Sequence, residues 1–179
     1  MLELIVQVVF VLALIPAALG TINLLLYRPI KKQAEADLPK LSVLIPARNE
    51  EARITPVLQS VLACTGVDFE VIVADDSSTD QTARIVTDMA KSDPRLKLVT
   101  TRALPEGWLG KNNACHFLSS EARNPYAVFL DADVTLEPDA LLRIASEFTR
   151  RPHLKVLSGF PRQITGSFWE KTLIPLIHT

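Results

Sequence analysis

Asp131 and Asp133 stand two residues apart in the segment VFLDADVTLEPDAL, directly behind an apolar run. In an extended segment alternate side chains point the same way, so the two carboxylates can approach one cation. Hard oxygen ligands favour Mg2+ or Mn2+, ions that keep few protein ligands and complete their shell with water and substrate phosphates. The chemistry this predicts is the holding of a diphosphate. Asp-x-Asp also serves widely as a solvated turn, and what distinguishes this one is its place after a strand-like run. Two further polar clusters follow apolar runs in the same way. One contains Asp76, within ADDSSTD. Asp76 reads either as a turn and helix-capping acid or as a carboxylate that accepts the imide N–H of a uracil. The other is Pro46, Ala47, Arg48, Asn49 and Glu50. Arg48 and Lys111 are either surface cations or the partners of a nucleotide's phosphates, Lys111 aided by the backbone N–H groups of a helix start.

The elements that must position these residues follow from periodicity. Short apolar runs alternate with amphipathic stretches, the pattern of βαβ units around a parallel sheet. Strands are predicted at 41–45, 70–74, 96–100, 126–130 and 155–158, several apolar throughout, as strands covered on both faces are. Helices are predicted from apolar spacings of three and four: Ile54, Val57, Leu58, Val61 and Leu62; Ala83, Val86, Met89 and Ala90; Ala114, Phe117 and Leu118; Leu141, Ile144, Ala145 and Phe148. Thr79 or Asp80 can cap the second, and Pro138 with Asp139 opens the fourth. In open α/β sheets ligands bind beyond the carboxyl ends of the strands. Strands one, two and four therefore deliver Pro46–Glu50, Asp76 and Asp131–Ala132–Asp133 to one sheet edge.

Other chemistries find no support. His116, His153 and His178 have no metal spacing with one another or with the carboxylates, and no Ser-His-Asp or Cys-His arrangement is apparent. There is no GxGxxG or GxxxxGK[ST] loop. The net charge is −1 with no block of like charge, so nothing suggests a nucleic-acid partner. Cys64 and Cys115 are expected as free thiols in a reducing compartment.

Residues 4–27 run LIVQVVFVLALIPAALGTINLLLY without a charge, long enough to span a bilayer of about 30 Å hydrocarbon thickness. Only Met1, Leu2 and Glu3 precede them, too little for the basic region of a signal peptide, so an uncleaved anchor is expected; a buried core helix is the alternative. Arg28, Lys31 and Lys32 follow directly, and short Lys/Arg-rich flanks stay cytoplasmic. Everything after Lys32 is therefore expected on the cytoplasmic side of the cell membrane. The expected organisation is an anchor with its basic flank (1–32), a polar linker (33–40), an α/β domain (41–165) and an apolar C-terminal segment (166–179). That last segment reads either as an interfacial helix or as a helix packed on the domain. The chain reads as the front part of something longer.

Four segments, LSVLIPARNEEARI at 41–54, FEVIVADDSSTDQTARI at 69–85, GWLGKNNAC at 107–115 and VFLDADVTLEPDAL at 128–141, together resemble glycosyltransferase family 2. The likeness covers 41–161, and four motifs in order are far more specific than any one. The GWLGKNNA block, the anchor and SFWEKTLIPLI look similar to the membrane-anchored hopanoid-associated and carotenoid-type members. The resemblance implies a Rossmann-like GT-A nucleotide-diphospho-sugar transferase fold, here partial and preceded by one transmembrane helix. It implies a UDP-sugar donor and an inverting transfer to an acceptor hydroxyl, in the nearest subfamily a lipid or polyisoprenoid-type one. Pro46 to Glu50 and Asp76 would line the uridine pocket. Lys111 would lie near the diphosphate, and Asp131 with Asp133 would hold Mg2+ or Mn2+ and contact the donor. The chain departs from the family's pattern in one respect: Glu137, Asp139, Glu147 and Glu170 follow Asp133, and none sits in the family's base motif. A catalytic base is therefore not assigned, and a non-catalytic nucleotide-sugar-binding module is the competing reading. A nucleotidyltransferase fits less well, because PARNEE stands where a glycine-rich basic loop would be needed.

Overall fold

A computed structural model describes residues 2–26, 37–101, 104–159 and 162–170. The elements are α1 (Leu2–Leu26), β1 (Leu41–Ala47), α2 (Ile54–Leu62), β2 (Phe69–Asp75), α3 (Thr82–Ala90), β3 (Leu96–Thr100), α4 (Gly110–Glu121), β4 (Tyr126–Phe129) and α5 (Ala140–Arg150). They fall into two compact units, Ile30–Leu157 and a second made of Met1–Pro29 with Ser158–Thr179. The basic flank Arg28, Lys31 and Lys32, most of the linker, and residues 171–179 lie outside the described residues.

The larger unit is built on a parallel sheet in the order β3-β2-β1-β4. The central strands are confined on both faces, and their sequences show it: LSVLIPA and FEVIVAD carry apolar residues at nearly every position, whereas a half-exposed strand would alternate. Odd-numbered residues of β1 and β2 (Leu41, Val43, Ile45; Phe69, Val71, Val73) pack with Ile54, Val57, Leu58 and Val61 of α2, Val86 of α3, and Leu141 and Ala145 of α5. Even-numbered residues (Leu44, Ile72, Ala74) face the other way onto Leu118 of α4. Helices therefore cover both faces, the doubly wound architecture.

The edge strands behave differently. Along β4 half-buried Tyr126 and Val128 alternate with exposed Ala127 and Phe129, although the run is apolar throughout. The strand expected at 155–158 does not form. Those residues are irregular, Val156 is 78% exposed, and no neighbouring strand offers a ladder to pair with. A short apolar run had suggested burial, but without a sheet edge beside it the backbone gains nothing from extension.

The amino ends of the strands are locked by a polar cluster. Fully buried Ser42 donates its hydroxyl to Glu70 Oε1 at 2.6 Å, and the same oxygen accepts from the Arg123 amide at 2.8 Å. Asn124 donates to the Leu41 carbonyl at 2.8 Å through its side chain and to the Ser42 hydroxyl at 3.1 Å through its backbone. This cluster fixes where β4 begins beside β1 and so sets how far Asp131 is carried along the sheet.

In the second unit, α1 is the one helix among the described residues long and apolar enough to cross a membrane, and none of its spanning window is buried. Pro16 lies inside it, and the Thr21 hydroxyl satisfies itself on the Ala17 carbonyl at 2.8 Å, as a polar group in hydrocarbon must. At the other end Ser167 and Glu170 form a capping box that starts a helix. Glu170 accepts from the Gly166 and Ser167 amides at 2.7 and 3.1 Å, and the Ser167 hydroxyl takes the Glu170 amide at 3.2 Å. Phe168 and Trp169 stand exposed behind it.

Leu118 is the fully buried residue through which α4 grips the sheet. Leu118→Ala should cost about 2–5 kcal/mol of unfolding free energy, read from urea denaturation of the detergent-solubilised chain.

Candidate nucleotide-sugar site

The sheet places its topological switch point between β1 and β4. The chain steps outward from β1 through β2 to β3 and then returns to the far side of β1, so the loops after β1 and β4 part and leave a crevice.

The loops after β1 and β2 are zipped together by reciprocal bonds. The Asn49 amide donates to the Ser78 hydroxyl at 3.0 Å, and Asn49 Oδ1 accepts the Thr79 amide at 2.8 Å. The Glu50 amide donates to the Thr82 hydroxyl at 2.8 Å, the Glu51 amide to Asp80 at 3.1 Å, and the Gln81 amide to Glu51 at 2.9 Å. Two residues accept left-handed backbone for this, Asn49 at φ 56° and Ser77 at φ 58°. Asn and Asp tolerate that region best among residues with a side chain; Ser77 adopts it within a turn closed by the Ser78 amide on buried Asp75, at 3.3 Å. Asp80 caps the start of α3 as expected, though from outside the first turn, by accepting the amide and hydroxyl of Thr82 at 2.9 and 2.6 Å.

The zip consumes some of the predicted site residues and frees others. The Asn49 side chain is spent on Thr79, and Glu50 Oε2 holds Arg53 at 3.2 Å. Ala47 is buried, and its carbonyl accepts the Asp76 amide at 2.9 Å, fixing the backbone of the second cluster against the first. Pro46 is half-buried and Arg48 exposed. The Arg48 guanidinium comes within 3.8 Å of Asp76 Oδ2. Asp76 itself is well covered, its side chain only 18% exposed, and its Oδ1 accepts the Thr101 hydroxyl at 2.9 Å.

On the other side of the crevice, Lys111 Nζ lies 2.7 Å from Asp131 Oδ1. That hydrogen bond holds the Lys111 ammonium above the ordinary lysine value, working against partial desolvation, with the charges of Asp131 and Asp133 adding to it. Lys111 is thus fully charged at neutral pH, as a phosphate partner must be. Ala132 is buried and anchors the turn, while Asp131 and Asp133 are exposed on either side of it. Burial pushes the nearby Cys115 thiol up, against the pull of Lys111. Cys64 is also a free thiol, and neither is chemically activated.

The start of α4 joins the two halves. A methyl group placed on Gly110, its first residue, would lie 2.9 Å from Asp76 Oδ2; the next residue, Lys111, reaches Asp131. Consecutive Cα atoms are about 3.8 Å apart, so the Asp76 and Asp131 carboxylates flank a single helix terminus within the reach of one nucleotide. Gly110 and Thr101 were not foreseen from sequence. Thr101 sits behind the third strand, whose tip carries no cluster, and a lone Gly or Thr gives no signal until the carboxylate it touches is known.

Among the described residues no three His, Cys, Asp or Glu side chains gather as a complete metal cage. Two hard carboxylates on one exposed turn do fit an ion such as Mg2+ or Mn2+ that takes one or two protein oxygens and the rest from phosphate and water. The carboxylates downstream of Asp133 are committed elsewhere. Asp139 pairs with Arg143 at 2.9 Å, buried Glu147 is gripped by Arg150 and Arg151, and Glu170 caps its own helix. Glu137 lies beside the end of α2, its carbonyl accepting from Cys64 Sγ at 3.5 Å.

A parallel α/β sheet with acidic and basic groups at its switch point defines a nucleotide-binding fold of the Rossmann-like kind. The chain matches the family model "Glycosyl transferase family 2" over residues 42–176, and it belongs to that family. Its relatives include the 4,4'-diaponeurosporenoate glycosyltransferase of Staphylococcus aureus (strain USA300), 36% identical over 131 residues, which are 73% of this chain and 34% of that protein. The chain thus spans about a third of the length of the curated relatives it matches. Among solved structures, S. aureus TarS 1-349 in complex with UDP-GlcNAc is similar at 28% identity and a TM-score of 0.52, over 63% of this chain and 32% of TarS 1-349. The mannosyltransferase PcManGT from Pyrobaculum calidifontis, in complex with GDP-Man and Mn2+, shares the fold at 24% identity and a TM-score of 0.57, over 76% of this chain and 42% of its own. The fold is GT-A.

The loop zip carries a pH signature. Partial desolvation works upward on Asp80, but the hydrogen bonds from Thr82 and Glu51 outweigh it and hold its carboxyl below the usual aspartate value of 3.8. A depressed folded-state value means stabilisation that is complete above the unfolded value and is lost as pH falls from there through the folded one. Asp80→Asn should therefore flatten the acid decline in melting temperature below about pH 4 relative to the native chain, measured by circular dichroism between about pH 6 and 2.5.

Proposed function

We propose that this chain is the donor-binding part of an inverting glycosyltransferase that moves a sugar from a nucleotide-diphospho-sugar, of the UDP type, to an acceptor hydroxyl. The observation that carries the reading is the placement of Asp76 and Asp131 on the two sides of the α4 terminus, one backed by Arg48 and the other by Lys111. Membership of the family favours transfer over a non-catalytic binding module.

In this reading Pro46, Ala47, Arg48, Asn49 and Glu50 form the wall of the uridine pocket. Asp76 accepts the N–H of the base, and Lys111 turns from Asp131 to the diphosphate. Asp131 and Asp133 hold Mg2+ or Mn2+, with the Ala132 backbone between them, and the Mn2+ of the mannosyltransferase neighbour supports that choice. A divalent ion bound there would neutralise charge on the departing nucleoside diphosphate. What the chain's own residues do is orient the donor: the zipped loops hold the base end, and the cations at Arg48 and Lys111 draw the phosphates into the crevice. The base that deprotonates the acceptor lies outside the described carboxylates that follow Asp133.

The 4,4'-diaponeurosporenoate relative supports a lipid or polyisoprenoid-type acceptor, which suits a domain tethered to a membrane by α1. We read 1–32 as the anchor with its flank, 33–40 as the linker, 41–165 as the donor domain and 166–179 as an apolar segment. The donor domain is on the cytoplasmic side, where nucleotide sugars are made.

UDP-sugar binding should require Mg2+ or Mn2+ and be lost in Asp133→Ala, by at least about 10-fold for removal of a charged ligand; calorimetry giving equal affinity with and without the ion refutes the site. In sealed, right-side-out vesicles, protease added outside should leave everything after Lys32 intact, and cleavage there reverses the topology.

A further inference from the structure

The two solved neighbours carry different bases, uridine and guanosine, so the GT-A fold by itself does not choose between them. We propose that Thr101 and Gly110 are the residues that make this site read uracil in preference to guanine, by fixing the Asp76 carboxylate and leaving one of its oxygens to the ligand. The proposal rests on the nucleotide-sugar reading above and adds to it the determinant of base choice.

Asp76 is held at every point except one. Its amide is tied to the Ala47 carbonyl at 2.9 Å. Its Oδ1 accepts the Thr101 hydroxyl at 2.9 Å, and Thr101 is in turn fixed by its own amide on the Asp75 carbonyl at 3.1 Å. The other oxygen, Oδ2, faces the start of α4, where Gly110 has no side chain; a methyl group there would stand 2.9 Å away and displace the carboxylate. Arg48 approaches the same oxygen at 3.8 Å. The group offered to a ligand is therefore one acceptor, Oδ2, flanked by one donor, the guanidinium.

That edge matches an imide, in which a ring N–H lies beside a carbonyl: the N–H meets Oδ2 and the carbonyl meets Arg48. Cytosine has no hydrogen on the corresponding nitrogen and fails against Asp76 itself. Guanine presents two adjacent donors, and both are satisfied by a carboxylate only when its two oxygens are available side by side. The Thr101 hydroxyl occupies one of them. Removing the hydroxyl frees Oδ1 for the second donor, so Thr101 acts through Asp76 as a positioning residue.

The test compares UDP, GDP and inorganic pyrophosphate binding by calorimetry, with Mn2+ present, on the full chain in detergent micelles. The native chain should prefer UDP to GDP. Thr101→Ala should narrow that preference by about fivefold, the effect of one hydrogen bond regained and one lost, and Thr101→Ser should restore it. Gly110→Ala should lower UDP affinity by about tenfold while pyrophosphate, which has no base, binds within about twofold of native. A merely structural role for Thr101 would weaken UDP, GDP and pyrophosphate together and leave the UDP:GDP ratio alone. An unchanged ratio in Thr101→Ala overturns the proposal and leaves the donor site standing. A native chain that binds neither UDP nor pyrophosphate with Mn2+ removes the donor site and this inference with it.

Discussion

Strand β1 is hydrogen-bonded along both edges and covered on both faces, and every candidate functional group depends on that confinement. A strand with no free side cannot tilt or slip without breaking two ladders and two apolar layers at once. Its carboxyl end is therefore a fixed point, from which Ala47 ties down Asp76 and Leu44 takes the amide that leads out of β4 towards Asp131. Burial along the strand and polarity at its tip are two consequences of one arrangement. Backbone groups in the sheet satisfy each other, and those at the end must find partners in loops, water or ligand.

The loop residues divide into those that bond each other and those left facing the crevice. Asn49, Glu51, Ser78, Asp80 and Thr82 complete one another across the β1 and β2 loops, so their polarity is internal structure. Arg48, Lys111, Asp131 and Asp133 remain exposed, and the charged contacts they make are those a solvated pair makes, worth about 1 kcal/mol or less each. Pairs this weak are suited to exchange. A phosphate or a cation can replace either partner at small cost, which a deeply buried bridge would not permit.

Much of this could be read from the residues in order. The unbroken apolar runs of β1 and β2 announced strands covered on both faces, and the clusters that follow them announced the tips. The run at 155–158 misled because four apolar-leaning residues carry no information about whether a neighbouring edge exists. The dual nature of Asn49 was also hidden: an Asn in a motif looks the same whether its amide faces a ligand or, as here, Thr79. Thr101 and Gly110 were beyond reach for another reason. Their importance lies in what they touch, and contacts between residues 25 and 34 positions from Asp76 are settled by the packing of α4 on the sheet. The metal pair stood out because both members share one short segment, and the catalytic base did not because no comparable local pattern marks it.

The two outer strands of the sheet differ in how they meet solvent. On β3, Lys97 is paired with Glu121 and places charge along the rim. On β4, Tyr126–Phe129 has neither charge nor proline, and Phe129 is 52% exposed. Natural edge strands are normally guarded against templating by such residues. Cut from its anchor and studied as an isolated soluble domain, this unit would expose an unguarded rim, and stacking of one copy's β4 against another's is the form its loss from solution would take.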